Sequence, residues 1–372
     1  MPWIHEHKQW PRFTWDEKAI ATKLTECRFE QGKLLGKMMA LGFELQQEAS
    51  LDTLTSDITK SSAIEGEYLN RSEVRSSVAR RLGLNITDAK PVSRDVDAIV
   101  EMMLDATQNY REPLTIERLL NWHAALFPSG RSGLFKIRVG TWRTDQTGPM
   151  QVVSGPVGRE TVHFEAPAAS RLNNEMFAFT QWFETENAID PVIRAGLAHL
   201  WFVTIHPLED GNGRIARAIA DMALARADET ASRFYSMSSQ LEAERKAYYA
   251  QLEHQQRATP DVTDWLNWFI GCFGRAIATA DTTLEMVLTK ARVWDKANKS
   301  AINARQTLVL NRMLDGFKGH MNTSKYAKIA KCSNDTALRD IQDLLRAGIF
   351  EKNAAGGRST SYRLTDIAIP NK

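Results

Sequence analysis

Apolar residues recur at helical spacing over most of this chain. Residues 1–100 read as mostly helical, with a long stretch free of proline from Asp16 to Glu48. The pattern returns at 93–109, at 115–127 and from Ala168 through Glu186. The most apolar window, Ala195 to Leu208, is too short to cross a bilayer and contains His199 and His206, so it predicts a buried helix leading into a site. An alanine-rich segment, 214–227, predicts the next helix. Strand-like alternation is confined to short runs. Met150–Val153 and Thr161–Phe164 flank the turn-rich Ser154–Arg159, which predicts a β-hairpin in an otherwise α-helical protein.

Residues 305–366 read as a separate compact unit. Helices are predicted at Gln306–Leu314, at Thr323–Lys331 behind a Thr/Ser cap, and at Asp335–Ala347, with a turn at Cys332-Ser333-Asn334. Two strands, 349–352 and 361–364, would flank the glycine-rich basic tip 354–358. The charged stretch 284–304 reads as a helical connector. The boundaries are then a helical domain at 1–92, a core at 93–283, the connector, and the unit at 305–372.

Composition changes this picture little. With 43% hydrophobic and 25% charged residues the 372-residue chain is that of an ordinary globular protein. Cys27, Cys272 and Cys332 are odd in number and far apart, which fits neither a disulfide framework nor zinc spacing. The first fifteen residues lack an apolar core of signal-peptide length, so a cytoplasmic protein with no membrane contact is expected. Charge is more telling. From Arg305 to the end there are 12 Lys/Arg against 6 Asp/Glu, while the whole chain is only +2. A basic terminal unit on an acidic body points to a nucleic-acid contact.

The densest chemistry is the run His206-Pro207-Leu208-Glu209-Asp210-Gly211-Asn212-Gly213-Arg214-Ile215-Ala216-Arg217. Asp210 to Gly213 reads as a tight turn ahead of a helix. Free N–H groups and the positive end of the helix dipole attract anions there, and glycines let a phosphate approach the backbone. Arg214 and Arg217 share one helix face and can reach one polyphosphate. Asp210 suits Mg2+ shared with phosphates, and His206 suits a general base.

This run resembles the Fic signature, His-Pro-Phe-x-(Asp/Glu)-Gly-Asn-Gly-Arg-x-x-Arg, with Leu208 in place of Phe. The resemblance implies a mainly α fold: a Fic helical core with a small β-hairpin flap, followed here by a winged helix-turn-helix. It implies transfer of AMP from ATP to a Ser, Thr or Tyr hydroxyl of a protein, releasing pyrophosphate, with self-modification open. His206 would be the base and Asp210 the Mg2+ ligand. Asn212 with the amides of Gly211 and Gly213 would cradle the phosphates, and Arg214 and Arg217 would neutralise them. The hairpin would be the flap that holds the target by strand pairing, with Val162 and His163 beside the nucleotide. Tyr248 and Gln256, on a helix downstream, would approach the adenine. The opening Trp10–Asp16 resembles the small N-terminal domain of unknown function found ahead of many bacterial Fic cores; its aromatic residues are read physically as an anchor onto the core.

Ser61-Ser62-Ala63-Ile64-Glu65-Gly66 resembles the inhibitory pattern (Ser/Thr)-x-x-x-Glu-(Gly/Asn) of Fic proteins. Carried over, Ser61, Glu65 and Gly66 form the motif, Gly66 caps its helix, and Glu65 pairs with Arg217 to keep the γ-phosphate out. Glu67, outside the motif spacing, is expected to have no part in inhibition.

The last unit resembles a winged helix-turn-helix, which makes Asn334, Thr336, Arg339 and the wing residue Arg358 candidate DNA contacts and a homodimer an open expectation. Two other functions fit the sequence: removal of AMP, or another Fic-type phosphotransfer, and a DNA-binding regulator whose core senses nucleotide.

Overall fold

The computed structural model describes residues 2–85, 89–156, 158–186, 188–300, 302–314, 317, 320–353 and 360–365. The chain divides into two compact units, 1–281 and 282–372. In the first, α1 (Glu17–Met39) starts at Asp16, whose carboxylate accepts from the N–H of Lys18. The proline-free stretch 16–48 spans two helices: α2 (Phe43–Ile64) begins anew with Gly42 as its extended N-cap. Then come α3 (Arg71–Arg81), α4 (Arg94–Gln108) and α5 (Ile116–Leu126). Ser93 and Thr115 cap the last two through their side chains, where the sequence placed their starts.

The expected hairpin is β3 (Gln151–Ser154) paired antiparallel with β4 (Thr161–Glu165), with an irregularity at Val152/Val153. A shorter pair precedes it, β1 (Arg131–Ser132) with β2 (Phe135–Lys136), which the sequence pattern did not signal. Three helices follow: α6 (Leu172–Thr185), α7 (Pro191–Ile205) and α8 (Asn212–Asp228). Pro191 stands at N1 of α7, and Asp190 caps it through the N–H of Val192. Every residue of α7 from Val192 to Ile205 is buried, so this helix, apolar all round, is the core itself. α8 lies against it and buries even Arg214 and Arg217.

α9 (Met237–Ala243), α10 (Arg245–Gln256) and α11 (Thr263–Lys299) follow. α2 is fixed to α9 by Asp57, which accepts from the N–H of Ser238 at 3.0 Å, and by Lys60, 3.1 Å from Glu242. The N-terminal aromatics do anchor the leading segment. Trp10 and Phe13 meet Trp201 edge-on, with centroids 6.3 and 5.7 Å away, and Trp10 Nε1 donates to Glu175 at 3.0 Å.

The second unit contains α12 (Ala304–Leu314), α13 (Thr323–Ala330), α14 (Asn334–Arg346) and an antiparallel pair, β5 (Phe350–Lys352) with β6 (Tyr362–Leu364). Asn322, one residue ahead of the expected cap, caps α13 by accepting from the N–H of Lys325. Val309, Tyr326, Ile341 and Phe350 are among its core. Among the described residues no helix is long and apolar enough to cross a membrane.

Candidate active site

α7 ends where His206 enters the left-handed region (φ 49°, ψ 57°). A residue with a Cβ held there costs on the order of 1 kcal/mol, so surrounding contacts must impose it. Arg143 supplies them. Its side chain is fully buried; Nε donates to the carbonyl of His206 at 2.8 Å, Nη1 to Asp145 at 2.9 Å and Nη2 to the carbonyl of Pro167. Its peptide N–H donates to the carbonyl of Pro207 at 2.9 Å.

His206 Nδ1 lies 3.1 Å from the carbonyl oxygen of Val203. A carbonyl only accepts, so Nδ1 holds the proton and Nε2 keeps its lone pair. Burial pushes the His206 pKa down to about 4, with the Arg143 charge acting the same way. The imidazole is therefore neutral at pH 7 and able to take a proton.

The loop after His206 is held from within. Leu208, in the place of the signature Phe, is fully buried. The Asn212 side chain accepts from the N–H of Leu208 at 3.0 Å and donates to its carbonyl at 2.8 Å. Both ends of that amide are thus committed to the loop, where the sequence reading had it cradling phosphate. α8 starts at Asn212, so the expected four-residue turn is shorter, and Gly213 already lies in the first helical turn. Gly211 has φ 83°, and a Cβ on it would stand 3.0 Å from the Phe127 ring. Asp210 accepts from the Ser132 hydroxyl, and Glu209 accepts from the N–H of Arg138 at 2.9 Å. Ser132, Arg138 and Arg143 brace the loop from a segment far away in sequence, and no local pattern marked them.

The arginines of α8 face inward. Arg217 Nη2 donates to Glu65 Oε1 at 2.8 Å and to the carbonyl of Ser61 at 2.9 Å, and Nε donates to the Ser61 hydroxyl at 2.9 Å. Arg214 stacks its guanidinium over Phe127, 5.0 Å from the ring centroid, and pairs with Glu67 at 2.5 Å. Two buried donors here, Arg214 Nε and Arg217 Nη1, have no partner among the described residues. A Cβ on Gly213 would stand 2.2 Å from Glu65 Oε1, so the carboxylate sits where only glycine leaves room. Orphaned guanidinium donors, a helix N-terminus and a Cβ-free cradle together fit a polyphosphate.

Gly66 caps α2 as expected. It has φ 86°, its N–H donates to the carbonyl of Ala63, and that of Glu67 donates to Ser62, both at 3.0 Å, which is the Schellman arrangement.

Tyr248 is buried, with its hydroxyl 2.8 Å from His199 Nε2, and Gln256 reaches Thr204 Oγ1 at 3.4 Å. Tyr249, its neighbour in sequence, is the one at the surface, donating to the carbonyl of Ile64 at 3.3 Å. Val162 accepts from Arg257 at 2.8 Å, and His163 lies between Glu253 and Ser154, at 2.9 and 2.6 Å. The hairpin is thereby tied to α10. Beside it runs a groove of ≈ 910 Å³ whose lining includes Met150, Gln151, Val153, Val162 and Glu209. His123 was also missed. It is wholly buried near Asp210 and Arg214, with neither ring nitrogen bonded to protein, and burial pushes its pKa down to about 4.

In the second unit Asn334 and Arg339 are exposed, while Thr336 is tied to Ser333, the N-cap of α14. Arg358 lies outside the described residues.

Residues 113–224 match the family model described as Fic/DOC family, and 3–84 match a domain of unknown function, DUF4172. The run from His206 to Arg217 lies within the segment that matches the Fic/DOC model. Curated relatives with this character include protein adenylyltransferase Fic of Nematostella vectensis, 27% identical over 175 residues (46% of this chain, 37% of the relative). The protein of the same name from Culex quinquefasciatus is 25% identical over 220 residues (56% and 40%). The chain thus spans about two-fifths of the length of the curated relatives it matches. Among solved structures, a Fic family protein from Desulfovibrio desulfuricans G20 superposes with TM-score 0.53 at 20% identity, covering 94% of this chain and 97% of that one. A Fic domain containing signaling protein from Bacteroides thetaiotaomicron gives 0.51 at 19%, covering 69% and 96%. The mainly helical Fic fold is shared.

Proposed function

We propose that the protein transfers AMP from ATP to a hydroxyl of a protein and that the structure described is its self-inhibited state. The observation that carries this is the Glu65–Arg217 pair lying on Gly213, in a site that otherwise has a free base and orphaned phosphate donors. In the reaction, Nε2 of His206 accepts the proton of the target hydroxyl while its oxygen attacks the α-phosphorus. The bond from that phosphorus to the bridging oxygen breaks, and pyrophosphate leaves. Arg214, Arg217 and the first amides of α8 stabilise charge on the leaving phosphates, so catalysis is positioning and electrostatics. Asp210 would hold Mg2+, which commonly takes one or two carboxylates plus phosphate oxygens and would offset their charge. The target segment would pair with the outer edge of β3, all four residues of which are exposed.

The test is transfer of label from α-labelled ATP with Mg2+ to the protein itself or a target. Label carried only from the γ-phosphate would overturn AMP transfer. Release of AMP from a modified protein, dependent on Glu65, would favour the removal reaction instead.

A second reading concerns residues 302–365 alone. Exposed Asn334 and Arg339 lie in the first two turns of the Ser333-capped α14, in a unit with a surplus of basic residues, and this supports a DNA contact. Binding to duplex DNA that weakens steeply with salt would bear it out; no binding at low salt would sink it.

A further inference from the structure

Glu67 is the second carboxylate at this site, and the inhibitory pattern does not include it. The cap of α2 explains how it arrives. Glu65 is the helix C-cap, Gly66 turns through the left-handed region, and the N–H of Glu67 closes the six-residue bond to Ser62. This turn sends two carboxylates to the first two turns of α8. Glu65 meets Arg217, and Glu67 meets Arg214, one turn earlier. Each arginine is therefore met by one acid from a single three-residue turn, and each keeps one buried nitrogen without a partner among the described residues.

We propose that Glu67 is a second latch, which holds Arg214 as Glu65 holds Arg217, so that nucleotide must displace two carboxylates. This rests on the reading that both arginines receive phosphates. One guanidinium edge cannot serve a carboxylate and a phosphate oxygen together, so a phosphate at Arg214 competes directly with Glu67. An ordinary surface ion pair would be worth little. This pair differs because the Arg214 side chain is only 3% exposed and is held over Phe127, so its charge has few other places to find a counterion. The two latches are unequal. The Glu67 side chain is 44% exposed and that of Glu65 31%, and Arg217 is further fixed by Ser61. Glu67 is the more readily released, so inhibition is graded, with the outer acid leaving before the inner one.

The experiment compares the full chain with Glu67→Gln, Glu65→Gln and the double variant, reading ATP affinity by calorimetry and transfer by α-label. Glu67→Gln should tighten ATP on the order of three- to tenfold, as expected for a partly screened charge pair. The double variant should bind more tightly than Glu65→Gln by a similar factor. Because Glu67 is partly in water, the gain should shrink as ionic strength rises. Glu67→Lys, repelled by Arg214, should also tighten ATP while lowering the melting temperature in the absence of nucleotide. If Glu65→Gln tightens ATP while Glu67 variants do nothing in either background, the latch falls and the phosphate reading stands. If Arg214→Ala and Arg217→Ala also leave ATP affinity unchanged, the phosphate reading falls and takes the latch with it. Tighter ATP without any transferred label would keep the latch and overturn AMP transfer.

Discussion

Oε1 of Glu65 stands 2.8 Å from Nη2 of Arg217, an arginine whose side chain is 1% exposed. In the proposed function the pair is the inner closure of the site. Removing the acid with Glu65→Gly frees the guanidinium for phosphate. ATP affinity and self-labelling from α-labelled ATP should each rise by about tenfold or more, the scale of one well-buried charge-assisted contact. Unchanged affinity in calorimetry would refute the pairing as an inhibitory one.

His206→Ala should abolish transfer while leaving ATP affinity close to that of the parent. The pH profile carries the sharper test. With a pKa pushed down to about 4, the imidazole is already a free base at pH 5.5. The acid limb of kcat/KM, measured in a Glu65→Gly background, should lie well below the ordinary histidine value of 6.5.

Arg143→Ala removes the side-chain donors that hold the carbonyls of His206 and Pro167, leaves those carbonyls unanswered and breaks the ion pair with Asp145. A loss of about 3 kcal/mol in urea denaturation is expected, the usual scale for breaking a buried charged network. Arg143→Lys retains the charge without the fork. It should recover part of the stability while kcat stays depressed more than KM, because the base is no longer fixed in its left-handed backbone.

Asn212→Ala should cost about 2 kcal/mol, since two hydrogen bonds to Leu208 vanish inside the protein. If the side chain served phosphate instead, ATP affinity would fall with stability unchanged; chemical denaturation beside calorimetry separates the two.

Stability should fall on mild acidification. His123 and His206 are pushed down to about 4 and His199 to about 3, all by burial. Below pH 6.5 the unfolded chain binds protons that these folded imidazoles refuse, so stability rises with pH between about 4 and 6.5. Their contribution is complete above 6.5. The carboxylates of Asp97 and Asp105, held below their ordinary value by Arg81 and Arg118, add their loss only at still lower pH. Urea midpoints at pH 7 and pH 5 measure the slope, and His123→Leu should flatten it.

Where chemistry is local, the sequence was readable. The run from His206 to Arg217 declares a base, an anion loop and a helix within twelve residues. Glu65 was found because its pattern is also local, and Gly66 because a helix end needs a left-handed residue. Features that depend on tertiary approach were not readable. Ser132 and Arg143 reach the loop across 78 and 63 residues, and neither carries a periodic or motif signal. Glu67 was set aside because it lacked motif spacing, although the turn at Gly66 delivers it to Arg214. Asn212 was assigned to the ligand by the resemblance, and only coordinates reveal that its amide is turned onto Leu208. The break at 40–42 was invisible because absence of proline does not guarantee continuity; Gly42 is extended and opens a second helix.

The N-cap of α8 is Gly211, which offers no side-chain acceptor to the helix beginning beside it. In the described structure the negative charge missing from that position arrives from another helix, through Glu65. On the proposed reading, the shut form is therefore also the better-completed fold. Substitutions that switch it on should leave the polypeptide easier to melt in the absence of nucleotide, and a chain selected for thermal endurance would drift toward silence.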